Sequence, residues 1–127
     1  MKIEHVALYV NDLDGARIFF NKYFNTTSNE LYHNQTTGFK SYFLTFGSGS
    51  RLELMYHPEM VNDEKHIRRT GYAHIAISVS SKEKVDSLTK TMQEDGFEVL
   101  SGPRTTGDGY YESVVVAFEN ILIEVTV

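Results

Sequence analysis

Four side chains of the kind that bind metal ions occur along the chain in the order His, Glu, His, Glu. His5 lies in IEHVALYV, Glu53 in RLELMY, His74 in YAHIAISV and Glu124 in NILIEVTV. Residues two apart in a strand share a face, so each of the four points away from its apolar neighbours. Two imidazoles and two carboxylates suit divalent Zn, Ni, Co, Mn or Fe, and on an octahedral ion they would leave two positions for water or substrate. The four residues therefore predict a metal site with free coordination positions for water or substrate.

The same four residues fall at equivalent positions of an internal repeat. Residues 3–10 align with residues 72–79 at an offset of 69, which matches the two histidines. At an offset of 71, Leu52-Glu53-Leu54 aligns with Ile123-Glu124-Val125. A duplicated sequence is not expected to keep the same residue type at solvent-exposed positions. The repeat therefore favours the interpretation of these residues as metal ligands over their interpretation as surface residues. A pseudo-twofold axis relating the two halves would bring the two His and Glu pairs together.

Hydrophobic periodicity predicts a strand, a helix and three further strands in each half of the chain. In the first half, a helix is expected over about 12–24 and strands over 2–10, 28–33, 39–46 and 51–57. In the second half, a helix is expected to end before Gly96, with strands over 72–79, about 97–101, 110–118 and 121–126. Asn11 or Asp12 is predicted to cap the first helix, and Ser80 with Glu83 the second. The expected fold class is α+β, with two βαβββ modules of about 1–57 and 71–127 joined by 58–70.

Length and composition exclude several classes of protein. The 127 residues predict a single domain, and no apolar run approaches the roughly 20 residues needed to cross a bilayer. A net charge of −5 argues against nucleic acid or an anionic membrane as partner. The absence of cysteine excludes a thiolate metal site and a cysteine nucleophile. No signal peptide is visible at Met1-Lys2-Ile3, so a cytoplasmic location is expected.

The paired βαβββ modules and the residues His5, Glu53, His74 and Glu124 resemble the vicinal oxygen chelate superfamily, and in particular glyoxalase I. The resemblance covers essentially the whole chain and implies the glyoxalase/bleomycin resistance/dihydroxybiphenyl dioxygenase-like fold. In bacterial glyoxalase I, residues matching all four bind a divalent metal, commonly Ni or Zn. Ring-cleaving dioxygenases and fosfomycin-modifying members generally lack a ligand at the position of Glu53, and bleomycin-binding members lack the metal set. Glu53 therefore favours the glyoxalase-like branch.

The resemblance also indicates where a small-molecule substrate would bind. Glyoxalase I typically holds glutathione with an Arg on the first strand and an Asn at the end of the fourth, and the matching positions here are Tyr9 and His57. These departures from the pattern mean that the resemblance supports the metal chemistry better than a glutathione conjugate. Arg104, Tyr110 and Tyr111 are further candidates for substrate contact, and strand alternation predicts that one of the two tyrosines faces the cavity.

The function that the resemblance implies is a metal-dependent lyase or isomerase of the lactoylglutathione lyase type, as used in methylglyoxal detoxification. The metal would bind two adjacent oxygens of a hemithioacetal or related α-hydroxycarbonyl compound and stabilise an enediolate. Glu124 is the first candidate for the base that moves the proton, and Glu53 is the alternate. Three alternatives stay open: thiol transfer to an epoxide antibiotic, ring-cleaving dioxygenation, and metal-free drug binding of the bleomycin type.

An assembly of two chains is also expected. In the superfamily that the sequence resembles, modules pair within one chain or are exchanged between two. A βαβββ module is an open curved sheet with a cavity on one side, and its leftover edges invite a partner. The sequence therefore predicts a C2 homodimer, with a metal site built from both modules.

Overall fold

Each half of the chain folds into one sheet with one helix packed on it, in a computed structural model that describes residues 1–62, 68 and 70–127. The first unit spans Met1–Asp63 and the second spans Glu64–Val127. These two units of mixed helix and strand confirm the α+β fold class. Part of the predicted joint at 58–70 lies outside the described residues.

The first unit places its first and last strands side by side. Its elements are β1 His5–Tyr9, α1 Leu13–Phe24, β2 Thr27–Ser28, β3 Tyr32–His33, β4 Lys40–Thr45 and β5 Arg51–Tyr56. The strand order is β1-β5-β4-β2, with β3 also paired to β4. β1 runs parallel to β5, whereas the pairs made by β4 are antiparallel.

The prediction of one strand over 28–33 is wrong, because two strands of two residues each occupy this segment. The side chain of Asn29 accepts a hydrogen bond from the backbone N–H of Phe43 at 2.7 Å. A side-chain oxygen thus takes the place of a backbone carbonyl, which ends β2 after Ser28.

The second unit repeats this arrangement. Its elements are β6 Ile75–Ser78, α2 Lys82–Glu94, β7 Glu98–Thr105, β8 Tyr111–Val116 and β9 Leu122–Thr126, with a short 3₁₀ turn at Phe118–Asn120. The strand order is β6-β9-β8-β7, and β6 runs parallel to β9. In both units, therefore, the strand that opens the module lies next to the strand that closes it.

Each helix covers one face of its own sheet with a stripe of buried residues at helical spacing. The α1 stripe consists of Leu13, Ala16, Phe19, Phe20 and Tyr23, and it packs on the β4–β5 face that buries Leu44, Leu52 and Leu54. The α2 stripe includes Val85, Leu88 and Met92, and it packs on the face that buries Val115, Ile123 and Val125. Within the described part of the chain, no helix is long and apolar enough to span a membrane. The opposite face of each sheet is left for the candidate ligands.

Side chains cap both helices at their N-termini. Asp12 accepts a hydrogen bond from the N–H of Gly15 at 2.9 Å, which confirms one of the two predicted caps for α1. The prediction for α2 is wrong by one residue, since Ser81 and not Ser80 accepts from the N–H of Lys84, at 3.2 Å. The sheet ladder sets this position, because the N–H of Val79 still donates to the Thr126 carbonyl and the chain turns only afterwards.

Candidate metal centre

In the first unit, the sheet brings His5 and Glu53 together. β1 and β5 are parallel neighbours with His5 opposite Arg51 and Ala7 opposite Glu53, so both candidate ligands lie on the face away from α1. The His5 Nε2 is 3.8 Å from the Glu53 Oε2. The side chain of Glu53 is only 13% exposed. The attraction between a carboxylate and a nearby cation is stronger when the carboxylate is largely shielded from water.

In the second unit, His74 and Glu124 form the equivalent pair. Glu124 lies on β9 opposite Ala76, and its side chain is 16% exposed. The His74 Nε2 is 3.4 Å from the Glu124 Oε2. The strand predicted over 72–79 begins only at Ile75, so His74 lies directly before β6 rather than within it. The pair nevertheless forms, because the face of His74 is set by the strand that follows.

Within each unit, the spacing of the pair fits two ligands of a metal ion. Donor atoms about 2.1 Å from an ion are about 3.0 Å apart at a right angle and about 3.4 Å apart at the tetrahedral angle. The observed Nε2–Oε2 distances of 3.4 Å and 3.8 Å lie at or slightly above this range. Among residues 1–62, 68 and 70–127, no three His, Asp or Glu side chains form a group that could hold a metal, so the candidates occur as pairs, one in each unit.

A second carboxylate and a guanidinium surround His5. The Glu4 Oε2 is 2.6 Å from the His5 Nδ1, and the Glu4 Oε1 accepts from the Arg51 Nε at 2.8 Å and contacts Nη2 at 2.7 Å. The hydrogen bond with His5, followed by the bond and charge of Arg51, lowers the pKa of Glu4 below its usual value. Glu4 is therefore ionised at neutral pH and holds both neighbours in place.

Glu112 forms a hydrogen bond with Glu124 of the second pair, and the sequence did not single it out. It lies on β8 opposite Thr126, two pairs along from the Val114 that lies opposite Glu124, and therefore on the same face of the sheet. Burial, then the charge of Glu124 and a hydrogen bond with it, raise the pKa of Glu112. The signal in the sequence was strand alternation, since Ser113 and Val115 face the core and leave Glu112 on the other face.

Tyr9 and His57, the positions that resemblance assigns to substrate, lie at the C-terminal ends of the two strands that carry the first pair. Tyr9 is exposed at the end of β1 and shares the His5 face by strand alternation. His57 follows β5, and its Nδ1 accepts the backbone N–H of Glu59 at 3.2 Å. This bond orients the ring within the turn and leaves Nε2 as its other polar atom.

Arg104, Tyr110 and Tyr111 are placed on different sides of the second sheet. Arg104 pairs with Glu112, which puts it on the Glu124 face, and its Nε donates to the Ser101 Oγ at 2.9 Å. The Tyr111 hydroxyl donates to Asp86 of α2 at 2.6 Å, a bond that raises the pKa of the phenol. Tyr111 thus faces the helix, while Tyr110 is exposed directly before β8.

Comparison with known proteins places this arrangement in a family. The model of the Glyoxalase/Bleomycin resistance protein/Dioxygenase superfamily matches residues 2–124. The chain belongs to this superfamily. Members of the Glyoxalase/Bleomycin resistance protein/Dioxygenase superfamily are mostly enzymes, bind small-molecule substrates and often form dimers. The resemblance inferred from the repeat and its four ligand-type residues is thereby confirmed.

Solved structures of superfamily proteins are similar to this chain over nearly its full length. A possible glyoxalase from Bacillus cereus is 28% identical with a TM-score of 0.69, covering 100% of this chain and 99% of the other. The trypanothione-dependent glyoxalase I of Leishmania major is 24% identical with a TM-score of 0.78, covering 99% and 86%. The fosfomycin resistance protein FosX of Listeria monocytogenes, complexed with Mn(II), is 24% identical with a TM-score of 0.72, covering 98% and 90%. The last two likenesses show the shared fold.

Proposed function

We propose that His5, Glu53, His74 and Glu124 together bind one divalent metal ion, with Ni or Zn preferred and Co, Mn or Fe also suitable. The observation that carries this proposal is the repetition of one geometry. In each unit, a histidine Nε2 and a glutamate carboxylate meet on the face away from the helix, at equivalent positions of equivalent strands. A pair of ligands is too few for a stable site, so the two pairs are proposed to complete each other.

The reaction that these residues support best is the isomerisation of a hemithioacetal or a related α-hydroxycarbonyl compound, as in a glyoxalase I-like lyase. The metal, when bound, supplies a Lewis acid for two adjacent oxygen atoms of the substrate. Glu124 takes the proton from the carbon that bears the hydroxyl and returns it to the neighbouring carbon, so no co-reactant is consumed. Glu53, which is buried to a similar degree, is the alternate base.

Glu124 has a neighbour that would matter for this role. A hydrogen bond joins Glu112 to the proposed base, and burial together with the charge of Glu124 raises the pKa of Glu112. Arg104, on the same face, carries a positive charge that would attract an anionic group of the substrate. Tyr9, His57 and Tyr110 are proposed as further contacts for the substrate at the open side of each sheet.

A second candidate is the metal-dependent addition of a thiol to an epoxide antibiotic, which opens the epoxide ring. It is supported by Tyr9 and His57, which replace the residues that hold glutathione in glyoxalase I, and by the structural likeness to a fosfomycin resistance protein. Iron content together with catechol turnover would instead indicate ring cleavage.

The cytoplasmic location stays a prediction.

Metal content and turnover of purified variants test the proposal. We expect His5→Ala and His74→Ala each to lose bound metal and hemithioacetal isomerisation. His33→Ala should keep both, because His33 contacts Gln35 and is not one of the four proposed ligands. Assays with glutathione, a different thiol and fosfomycin distinguish the candidates.

Two outcomes would contradict the proposal. Turnover that survives loss of the metal in both variants would remove the metal from the reaction. Less than about a tenth of an equivalent of transition metal after supplementation would indicate a metal-free binding protein.

A further inference from the structure

We propose that Glu4 and Arg51 are positioning residues that hold His5 in the orientation and tautomer needed to bind the metal. The inference rests on the proposed metal function and concerns only the first unit. Glu4 contacts the Nδ1 of His5 and the Arg51 guanidinium, whereas Nε2 is the His5 atom that faces Glu53. Both act through the far side of the His5 ring.

The contacts of Glu4 fix which nitrogen of His5 carries the proton. An ionised carboxylate only accepts hydrogen bonds, so its 2.6 Å contact requires a proton on the His5 Nδ1. The lone pair of a neutral imidazole then lies on Nε2, the atom that faces Glu53 at 3.8 Å. Histidine ligands of metals commonly donate their other N–H to a carboxylate in this way, which fixes the ring and raises its basicity.

Arg51 fixes Glu4 in turn. Its guanidinium contacts the Glu4 Oε1 through Nε at 2.8 Å and Nη2 at 2.7 Å, while its backbone N–H donates to the Glu4 carbonyl at 2.9 Å. The guanidinium also lies 4.1 Å from the centre of the Phe43 ring, and that ring contacts His5 edge-on with a centroid distance of 5.4 Å. Glu4 is exposed, so these contacts and not burial are what restrict its side chain.

The repeat does not carry the Glu4 and Arg51 side chains into the second half of the sequence. Under the two alignments that define the repeat, Ala73 takes the place of Glu4 and Leu122 takes the place of Arg51. Neither side chain can accept or donate a hydrogen bond. The duplication therefore preserves the ligands but not the groups behind them, and His5 and His74 are expected to be unequal ligands. Loss of Glu4 should weaken the site through His5 alone.

The direct test is the affinity for Zn²⁺ of purified full-length protein, measured by competition with a chromogenic chelator. Glu4→Ala should weaken Zn²⁺ binding by about 10- to 100-fold, the usual effect of removing such an outer partner. Glu4→Gln keeps an acceptor oxygen without the charge and should fall between Glu4→Ala and the wild type. Glu94→Ala is the matched control, since it breaks an exposed ion pair with Lys90 at the end of α2, the helix that covers the sheet face opposite to Glu124.

A second measurement reads the tautomer without metal. Nitrogen NMR of the metal-free protein should show His5 protonated on Nδ1 in the wild type and as a mixture of tautomers in Glu4→Ala. A merely structural role for Glu4 would lower the stability without changing this signal. Arg51→Met should shift the tautomer ratio in the same direction by a smaller amount.

The outcomes separate this inference from the proposed function. Equal Zn²⁺ affinity and an unchanged tautomer in Glu4→Ala would overturn the inference and leave the metal site standing. A wild type that binds no transition metal would overturn both. Weakened binding in Glu4→Ala but not in Glu94→Ala, together with the tautomer change, supports the inference.

Discussion

Tyr42 links the sheet of the first unit to its helix through one polar contact in an otherwise apolar layer. Its hydroxyl donates to the Asp14 carboxylate at 2.9 Å, and the Arg17 guanidinium lies 5.1 Å from the centre of its ring. Burial, followed by the hydrogen bond and negative charge of Asp14, raises the pKa of Tyr42 above its usual 10.0. Both causes favour the neutral phenol, so the folded protein holds this proton more tightly than the unfolded chain does.

The stability of the first unit is therefore expected to fall in alkaline solution. Because the pKa of Tyr42 is higher in the folded state, its contribution is fully present below the usual value of 10.0 and is lost as the pH rises through the folded pKa. Urea unfolding between about pH 8 and pH 11 measures this loss. Tyr42→Phe should cost about 1 kcal/mol at neutral pH and show a flatter alkaline decline. Parallel pH curves for the two proteins would contradict the assignment.

The candidate ligands could be proposed from the sequence, while their neighbours could not. His5, Glu53 and their repeat equivalents stand out because a charged or ligating residue interrupts an apolar strand twice, at matching positions. Glu4 gives no such signal, and strand alternation assigns Glu112 only to a face of the sheet. The importance of both residues depends on which residues of another strand they contact. That information lies in the register of the sheet, which periodicity does not specify.

Helix α2 begins where a serine side chain satisfies its first free N–H groups. Ser80 and Ser81 carry the same side chain, yet only the Ser81 hydroxyl oxygen accepts a hydrogen bond from the backbone N–H of Lys84, at 3.2 Å. Ser81→Ala should lower the free energy of unfolding by about 1 kcal/mol, whereas Ser80→Ala should change it little. Chemical denaturation of the two variants measures the difference. Equal losses would show that the cap is shared between the serines.

The existence of the elements could be predicted, but not all their limits. The helices follow from stripes of buried residues at helical spacing, and both appear where the stripes lie. The division of the 28–33 segment depends on one side-chain bond from Asn29 to β4. The start of β6 at Ile75 is the point where its pairing with β9 begins, at Ile123. Such limits are set by partners distant in sequence, which a local pattern cannot contain.

At the scale of the whole molecule, the strand order leaves a sheet edge in each unit that a second module could use. β1 and β6 end the strand orders of their sheets, and an edge strand offers unpaired backbone groups to a neighbour. We therefore keep the prediction of a C2 homodimer. Light scattering at micromolar concentration should give about twice the chain mass of 14.5 kDa. A single-chain mass would end this prediction.

Mixing two inactive variants tests whether the proposed site is shared between chains. A His5→Ala chain and a His74→Ala chain each lack one ligand. If a site takes one pair from each chain, the mixed dimer contains one site with all four ligands and should recover activity. If each chain supplies its own four ligands, no activity returns. Refolding the two chains together provides the exchange that the experiment needs.

The strand that opens each unit lies beside the strand that closes it, and nearly all of the module runs between them along the chain. An ion held by His5 and Glu53 would therefore act as a reversible cross-link that closes a long loop. Such a link removes conformational entropy from the unfolded chain and is broken only when the whole module opens. The ligand pair also exists only after β1 has met β5. Binding would thus select completely folded modules, and the unfolding temperature should rise with the concentration of free metal.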